Sequence, residues 1–241
     1  MADNETKKAV FLTAEWSNLL MFNYAVDPAM LRSFVPPGTE LDAFEGTTYV
    51  SLIGFEFNRT RVHGVRIPFH QSFEEVNLRF YVKRASKRGV VFIRELVPKY
   101  AVAAIARTAF GENYSTVTMS HRRQTDADDT IKVEYAWGTG EQRCSLYLET
   151  EGPGLLPLEG SESQFIAEHY WGYSKTRGGR CLEYEVEHPC WHVRKAKHVS
   201  ARGNFSAFYG GEFGKVFSRN PDSAFFAKGS AVTVMSGKEI L

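Results

Sequence analysis

Four polar side chains stand at alternate positions of Glu75-Val-Asn-Leu-Arg-Phe-Tyr81: an acid, an amide, a guanidinium and a phenol. Side chains alternate across a strand, so Val76, Leu78, Phe80 and Val82 claim one face while Glu75, Asn77, Arg79 and Tyr81 share the other. The first face is core. The second is either solvated, the ordinary outcome for a half-buried antiparallel strand, or a polar patch lining a cavity. In a cavity, a guanidinium suits a planar anion such as a carboxylate or enolate, and a neighbouring carboxyl can move protons. A second concentration of groups is Glu168-His-Tyr-Trp-Gly-Tyr173, which crowds an imidazole, two phenols and an indole around an expected helix end. Aromatic residues with polar tips suit pocket walls and structural anchoring equally well. His169, whose ordinary pKa lies near neutrality, is the member suited to proton transfer.

Other clusters are weaker. His188-Pro-Cys-Trp-His192 offers three soft ligands at i, i+2 and i+4, but it matches no common zinc spacing and a proline interrupts it, so it reads as a turn and strand with a small thiol. The basic runs Lys175-Thr-Arg-Gly-Gly-Arg180 and Arg194-Lys-Ala-Lys-His198 are diluted by Glu183, Glu185 and Glu187 and belong to no nucleic-acid module. Gly178-Gly179 and Gly210-Gly211 lack the strand-to-helix setting of a phosphate loop and read as turns. No Gly-x-Ser-x-Gly elbow is present.

The elements that must position these groups are mostly strands. Asn18 to Val26 reads as a strand, followed by an Asp27-Pro28 cap and a short helix to about Phe34. Leu41 to Phe57 reads as a hairpin turning at Glu45-Gly46, and Phe73–Lys83 with Val90–Val97 as an antiparallel pair joined by a basic turn. Pro98 opens an alanine-rich helix through Phe110, with Gly111 where a C-terminal stop belongs. Ser115–Arg123, Ile131–Trp137 and Arg143–Thr150 read as strands; Ser161 or Ser163 caps a helix to about His169, and the remainder reads as extended. Strand runs with few short helices and no repeating βαβ unit indicate an α+β, mainly antiparallel or closed-sheet fold. The expectation is one domain over 241 residues, with residues 1–9 flexible.

Composition narrows the function classes. With 43% hydrophobic and 14% aromatic residues the chain can bury a substantial core. A formal net charge of +1 lacks the cationic excess that phosphate backbones or anionic membranes demand. The polar start has no apolar secretory core, no apolar run approaches the roughly 20 residues that cross a bilayer, and Cys144, Cys181 and Cys190 are an odd set. The expectation is a cytoplasmic protein with free thiols and no membrane or nucleic-acid partner.

Four motifs spread along the chain carry a resemblance: Phe11-Leu-Thr-Ala-Glu-Trp16, Phe73-Glu-Glu-Val-Asn-Leu-Arg-Phe80, Gly111-Glu-Asn-Tyr114 and His169-Tyr-Trp-Gly-Tyr173. They resemble the YqjF-like bacterial family, which is regarded as related to the acetoacetate decarboxylase-like superfamily. The resemblance implies curved sheets enclosing a small-molecule cavity. It also implies a comparison with the decarboxylases' Schiff-base lysine, activated by an adjacent lysine in a motif from Gly-Arg-Glu to Pro-Lys-Lys. The register that fits best sets Ala106-Arg107-Thr108 and Asn113-Tyr114-Ser115 against those triplets, so both lysines are missing. The superfamily's cavity arginine and glutamate fall around Ser17 and Val62, without clear counterparts. Without an amine no iminium forms, which disfavours acetoacetate decarboxylation.

The reading is therefore a small-molecule-binding protein for a carboxylate or carbonyl compound, with lysine-independent acid/base chemistry if it is an enzyme. The rival is a non-catalytic ligand sensor or structural protein on the same fold. Glu75, His169 and Tyr114 are the catalytic candidates, and Asn77, Arg79, Tyr81, Tyr170 and Tyr173 the ligand-binding ones. No cofactor and no metal is assigned, and a homo-oligomer is left open.

Overall fold

The computed structural model describes residues 9–176 and 178–240, so the first eight residues of the expected flexible start, and Arg177 of the basic run, lie outside the described residues. In chain order the strands are β1 (Val10–Val26), β2 (Glu40–Leu41), β3 (Thr48–Val62), β4 (Val65–Arg66), β5 (Phe73–Arg84), β6 (Lys87–Val97), β7 (Tyr114–Thr116) and β8 (Met119–Thr125). They continue as β9 (Ile131–Trp137), β10 (Cys144–Leu155), β11 (Trp171–Lys175), β12 (Cys181–Glu187), β13 (Val193–Gly203), β14 (Ser223–Met235) and β15 (Lys238–Glu239). Helices α1 (Tyr100–Phe110), α2 (Glu162–Ala167) and α3 (Ser206–Phe217) are inserted among them.

Pairing runs β12-β11-β6-β5-β3-β1-β14, and β14 then meets β12 again through Val186 opposite Val234 and Glu187 opposite Thr233. The result is a ring of seven strands. Its pairs are antiparallel except β6 with β11, which is parallel. From β14 the sheet continues outward through β13, β10, β9 and β8, and this extension packs on the outside of the ring. Val133, Tyr135, Leu146 and Leu148 share a core with Leu20, Phe22, Leu52, Leu78 and Phe80. The opposite faces of the same ring strands build a second core with Met21, Ile53, Phe55, Phe57, Tyr81, Tyr114 and Trp191.

Both faces of β5 are therefore covered. The solvated reading of its polar face fails, because the outer layer takes Val76, Leu78, Phe80 and Val82, and the ring interior takes Glu75, Asn77, Arg79 and Tyr81, all buried.

Several expected elements differ in detail. The helix expected over 28–34 is two single 3₁₀ turns, Pro28–Met30 and Arg32–Phe34, with the Asp27 carboxylate accepting from Ala29 N at 2.8 Å. The Glu45-Gly46 turn is present, with left-handed φ at both residues and Phe44 bridged to Thr47, but Leu41 pairs with Val82 of β5 rather than with β3. The run Ser115–Arg123 changes partner midway, β7 lying parallel to β6 and β8 lying against β9. The extended reading of the C-terminal region missed α3. Gly210 and Gly211 lie within it instead of forming a free turn, and Gly210, at φ 83° and ψ 166°, kinks it. Two adjacent glycines are poor helix formers, so local propensity hid a helix that packs Phe213 and Phe217 into the outer core.

Candidate functional site

A cavity of about 120 Å³ takes lining residues from all seven ring strands, from α1 and from the segments around Glu112, His169 and Trp191. Its walls are largely aromatic and aliphatic, with Trp16, Phe55, Phe57, Phe92 and Trp191 among them. Polar groups enter at a few places, which is the general pattern of ligand pockets. Arg79, 9% exposed, is the only Lys or Arg among the described lining residues. Its Nη2 donates to the Ile166 carbonyl at 2.9 Å, where α2 ends, while its Nε has no partner. A guanidinium nitrogen buried without an acceptor costs free energy until an anion or a water meets it.

His169 lies beside Arg79. Its ring packs against Tyr81 at 4.7 Å and edge-on to Phe165 at 5.5 Å, and neither ring nitrogen has a side-chain partner. Burial, then the positive charges of Arg79 and Arg88, push its pKa well down. The imidazole is thus neutral, with one ring nitrogen a donor and the other an acceptor.

Farther along, three carboxyls converge. Glu75 accepts from Asn77 Nδ2 at 3.0 Å and from the Tyr114 hydroxyl at 3.2 Å, and Glu112 accepts from the Tyr184 hydroxyl. Glu95, 1% exposed, has one oxygen, Oε2, without a partner, as does the amide oxygen of Asn77. Burial raises the Glu75 pKa to about 7 against the pull of its two hydrogen bonds, and raises Glu112 to about 8. Glu95 is raised well above the carboxylate range by burial, then by the charges of Glu112 and Glu75. Burial and the same acids also raise Tyr114 and Tyr184, so both phenols stay protonated donors.

Local backbone features bring these groups together. β5 and β6 pair Asn77 with Glu95 and Arg79 with Phe92, so a bulge lies between them. One extra residue reverses the alternation, turning both Glu95 and Phe92 inward. Asn113 holds this irregularity, its Nδ2 donating to the Ile93 carbonyl and its Oδ1 accepting from Arg94, both at 3.1 Å. The motif Gly111-Glu-Asn-Tyr114 thus divides its work. Gly111, at φ 68°, ends α1 in the left-handed conformation that glycine adopts without steric cost; Glu112 and Tyr114 enter the pocket, and Asn113 braces the bulge. Gly172 has a similar part, because a Cβ there would lie 2.1 Å from Tyr184 Cζ. Its missing side chain is the space through which Tyr184 reaches Glu112.

Of the residues singled out from the sequence, Glu75, Asn77, Arg79, Tyr114 and His169 line the cavity. Tyr81 packs behind them against His169, with its hydroxyl bonded to Ser51. Tyr173 faces the outer core and donates to Glu183 at 3.1 Å; Tyr170 lies near Cys190 Sγ at 3.6 Å and against His188, outside the lining. His188 does line the cavity, stacked on Trp191 at 4.2 Å. Among the described residues no group of three or more His, Cys, Asp or Glu is arranged to hold a metal. Sequence reasoning missed Glu95, Glu112 and Tyr184. Glu112 carried a signal, an acid placed directly between a helix-ending glycine and the Asn-Tyr pair. Glu95 carried none, because the bulge breaks its alternation.

Solved structures define the class to which this architecture belongs. Acetoacetate decarboxylase from Legionella pneumophila matches with a TM-score of 0.68 at 12% identity, covering 97% of this chain and 88% of its own. The enduracididine biosynthesis enzyme MppR, complexed with pyruvate, matches with a TM-score of 0.69 at 12% identity, covering 98% and 93%. The fold is acetoacetate decarboxylase-like. Within that class, residues 13–231 match DUF2071, a family described as an uncharacterized conserved protein. The uncharacterized protein YqjF of Bacillus subtilis (strain 168) is 32% identical over 187 residues, 76% of this chain and 74% of its own. The chain belongs to this YqjF-like family.

Proposed function

We propose that the ring cavity binds a small organic acid or carbonyl compound and moves a proton on it by lysine-independent acid/base chemistry. The observation that carries this reading is Arg79, a buried guanidinium with an unpartnered Nε, in a pocket whose other described walls are mainly apolar. A carboxylate or enolate oxygen completes it, and charge-assisted pairing fixes the ligand's orientation. The cavity is similar in size to an apolar cavity of about 150 Å³ that binds benzene, which points to a ligand of roughly six to eight heavy atoms. MppR, a structural neighbour, is complexed with pyruvate, a compound of this kind.

Glu75 is the proton-transfer group, since a carboxyl titrating near neutrality serves equally as base and acid. It takes a proton from a carbon beside a carbonyl and returns it, with Tyr114 donating to the oxygen that gains charge. No lysine stands among the described lining residues, so the route excludes an iminium. The rival, a non-catalytic sensor, is favoured by Glu75 being held by both Asn77 and Tyr114.

Two measurements test the reading. Calorimetric titration with a panel of small carboxylic and keto acids should show binding that Arg79→Ala weakens by about tenfold or more, the value of a charge-assisted contact. Unchanged affinity in the variant removes the anion role. Incubation of a bound keto acid in D₂O, followed by proton NMR, should show exchange at the carbon beside the carbonyl, lost in Glu75→Gln while binding persists. Binding without exchange in the unaltered protein assigns the sensor.

A further inference from the structure

The two ends of the cavity differ in charge, and the acid end is incomplete. Arg79 stands at one level of β5; two residues back, Asn77 sits opposite Glu95 of β6, which in turn sits opposite Tyr114 of β7. In this row Asn77 Oδ1 and Glu95 Oε2 both lack a hydrogen-bond partner, on side chains 4% and 1% exposed. Both line the cavity, with Glu75 and Glu112 beside them and no lysine or arginine other than Arg79 among the described lining residues. The Tyr114 hydroxyl, with a single hydrogen, lies between Glu75, to which it donates at 3.2 Å, and Glu95, and the Tyr184 hydroxyl donates to Glu112. Buried acceptors of this kind are ordinarily satisfied, and buried carboxyls without a cation take up protons instead. What the row lacks is an N–H-bearing positive charge.

We propose, on the reading that Arg79 holds a carboxylate, that Asn77 Oδ1 and Glu95 Oε2 form a subsite for a protonated amine, so that the ligand is a small amphoteric acid. An ammonium donates three hydrogen bonds, which suits the two orphaned acceptors and one oxygen of Glu75 or Glu112. Two residues of strand separate the levels of Arg79 and Asn77 by about 7 Å, which favours a carboxylate and an amine joined by a few methylene groups over an α-amino acid. The apolar walls between the two ends accommodate that spacer. Burial holds Glu95 and Glu112 protonated, and an arriving ammonium favours their ionised form, so binding discharges protons into solution. The groups facing the subsite are Glu75, Glu95, Glu112, Tyr114 and Tyr184, with Arg79 and the neutral His169 toward the other end.

The test is titration calorimetry with ω-amino acids of three to eight carbons, alongside the plain carboxylic acids of equal length, in two buffers of different ionisation heat. One amino acid of intermediate length should bind about tenfold or more tightly than its carboxylic analogue, the size of a buried charge-assisted contact, with buffer-dependent heat showing proton release. Glu95→Gln should remove that advantage and the release while leaving affinity for the plain acid unchanged, which also shows that the variant is folded. Plain acids binding as well as the amino acids, without proton release, overturns the amine subsite and leaves the anion role of Arg79 standing. Binding of neither series overturns both.

Discussion

Glu75 and Glu112 are ordinary glutamates placed where water cannot stabilise their charge, and that placement gives both their chemistry and a cost. Unfolded, each ionises near its usual value of 4.5; folded, burial delays ionisation to about 7 for Glu75 and about 8 for Glu112. Below pH 4.5 both states hold the protons and burial carries no ionisation penalty. As pH rises from 4.5 through about 8, the unfolded chain releases them first, so the native state loses stability over that window. The urea midpoint of the unaltered protein should therefore decline relative to that of Glu112→Gln as pH rises from about 5 to 8.5. A difference that stays constant over that span would show that Glu112 is ionised in the folded protein. Much of this site was legible at the residue scale. The alternation over 75–81 put the right four side chains on one face, and only the covering of both faces was invisible, because it depends on a distant layer. Tyr173 could not be assigned from composition, since alternation along β11 turns it outward while Gly172 faces the space occupied by Tyr184.

Elements position the site through two local departures from regular strand, the bulge in β6 and the bare backbone at Gly172. The second gives a direct test. Gly172→Ala puts a methyl group into the Tyr184 ring, displacing it from Glu112, and overpacking of this kind costs about 1–3 kcal/mol. Urea denaturation should register that loss, with weaker ligand binding. Full stability in the variant would mean that Tyr184 has another place to go. Strands, the antiparallel β5–β6 pair, α1 with its glycine stop and the Ser161 cap of α2 were all readable from local patterns. What escaped depended on tertiary partners. Leu41 left its expected hairpin to pair with β5, the 115–123 run divided between two layers, and α3 formed in spite of its glycines because the outer core accepts its phenylalanines.

At the scale of the molecule, a closed ring with an outer sheet explains how a chain of modest net charge keeps ionisable groups in its interior. Ring closure leaves few ways for water to satisfy the polar face of β5, while the outer layer covers the other face. His121 helps to fasten that layer, bridging Glu74 at 2.9 Å and Glu56 at 3.4 Å on the ring strands β5 and β3. The family resemblance pointed to such an enclosure from four short motifs, and all four contribute lining residues, on β1, on β5, after α1 and before β12. What occupies the interior decides the function. A crystal structure of the protein soaked with the tightest-binding acid of the panel tests this directly. It should place the carboxylate within about 2.7–3.0 Å of Arg79 nitrogens, Nε among them, with the ligand body between the aromatic walls. A ligand bound elsewhere on the molecule, with Arg79 Nε satisfied by a protein group instead, would contradict it.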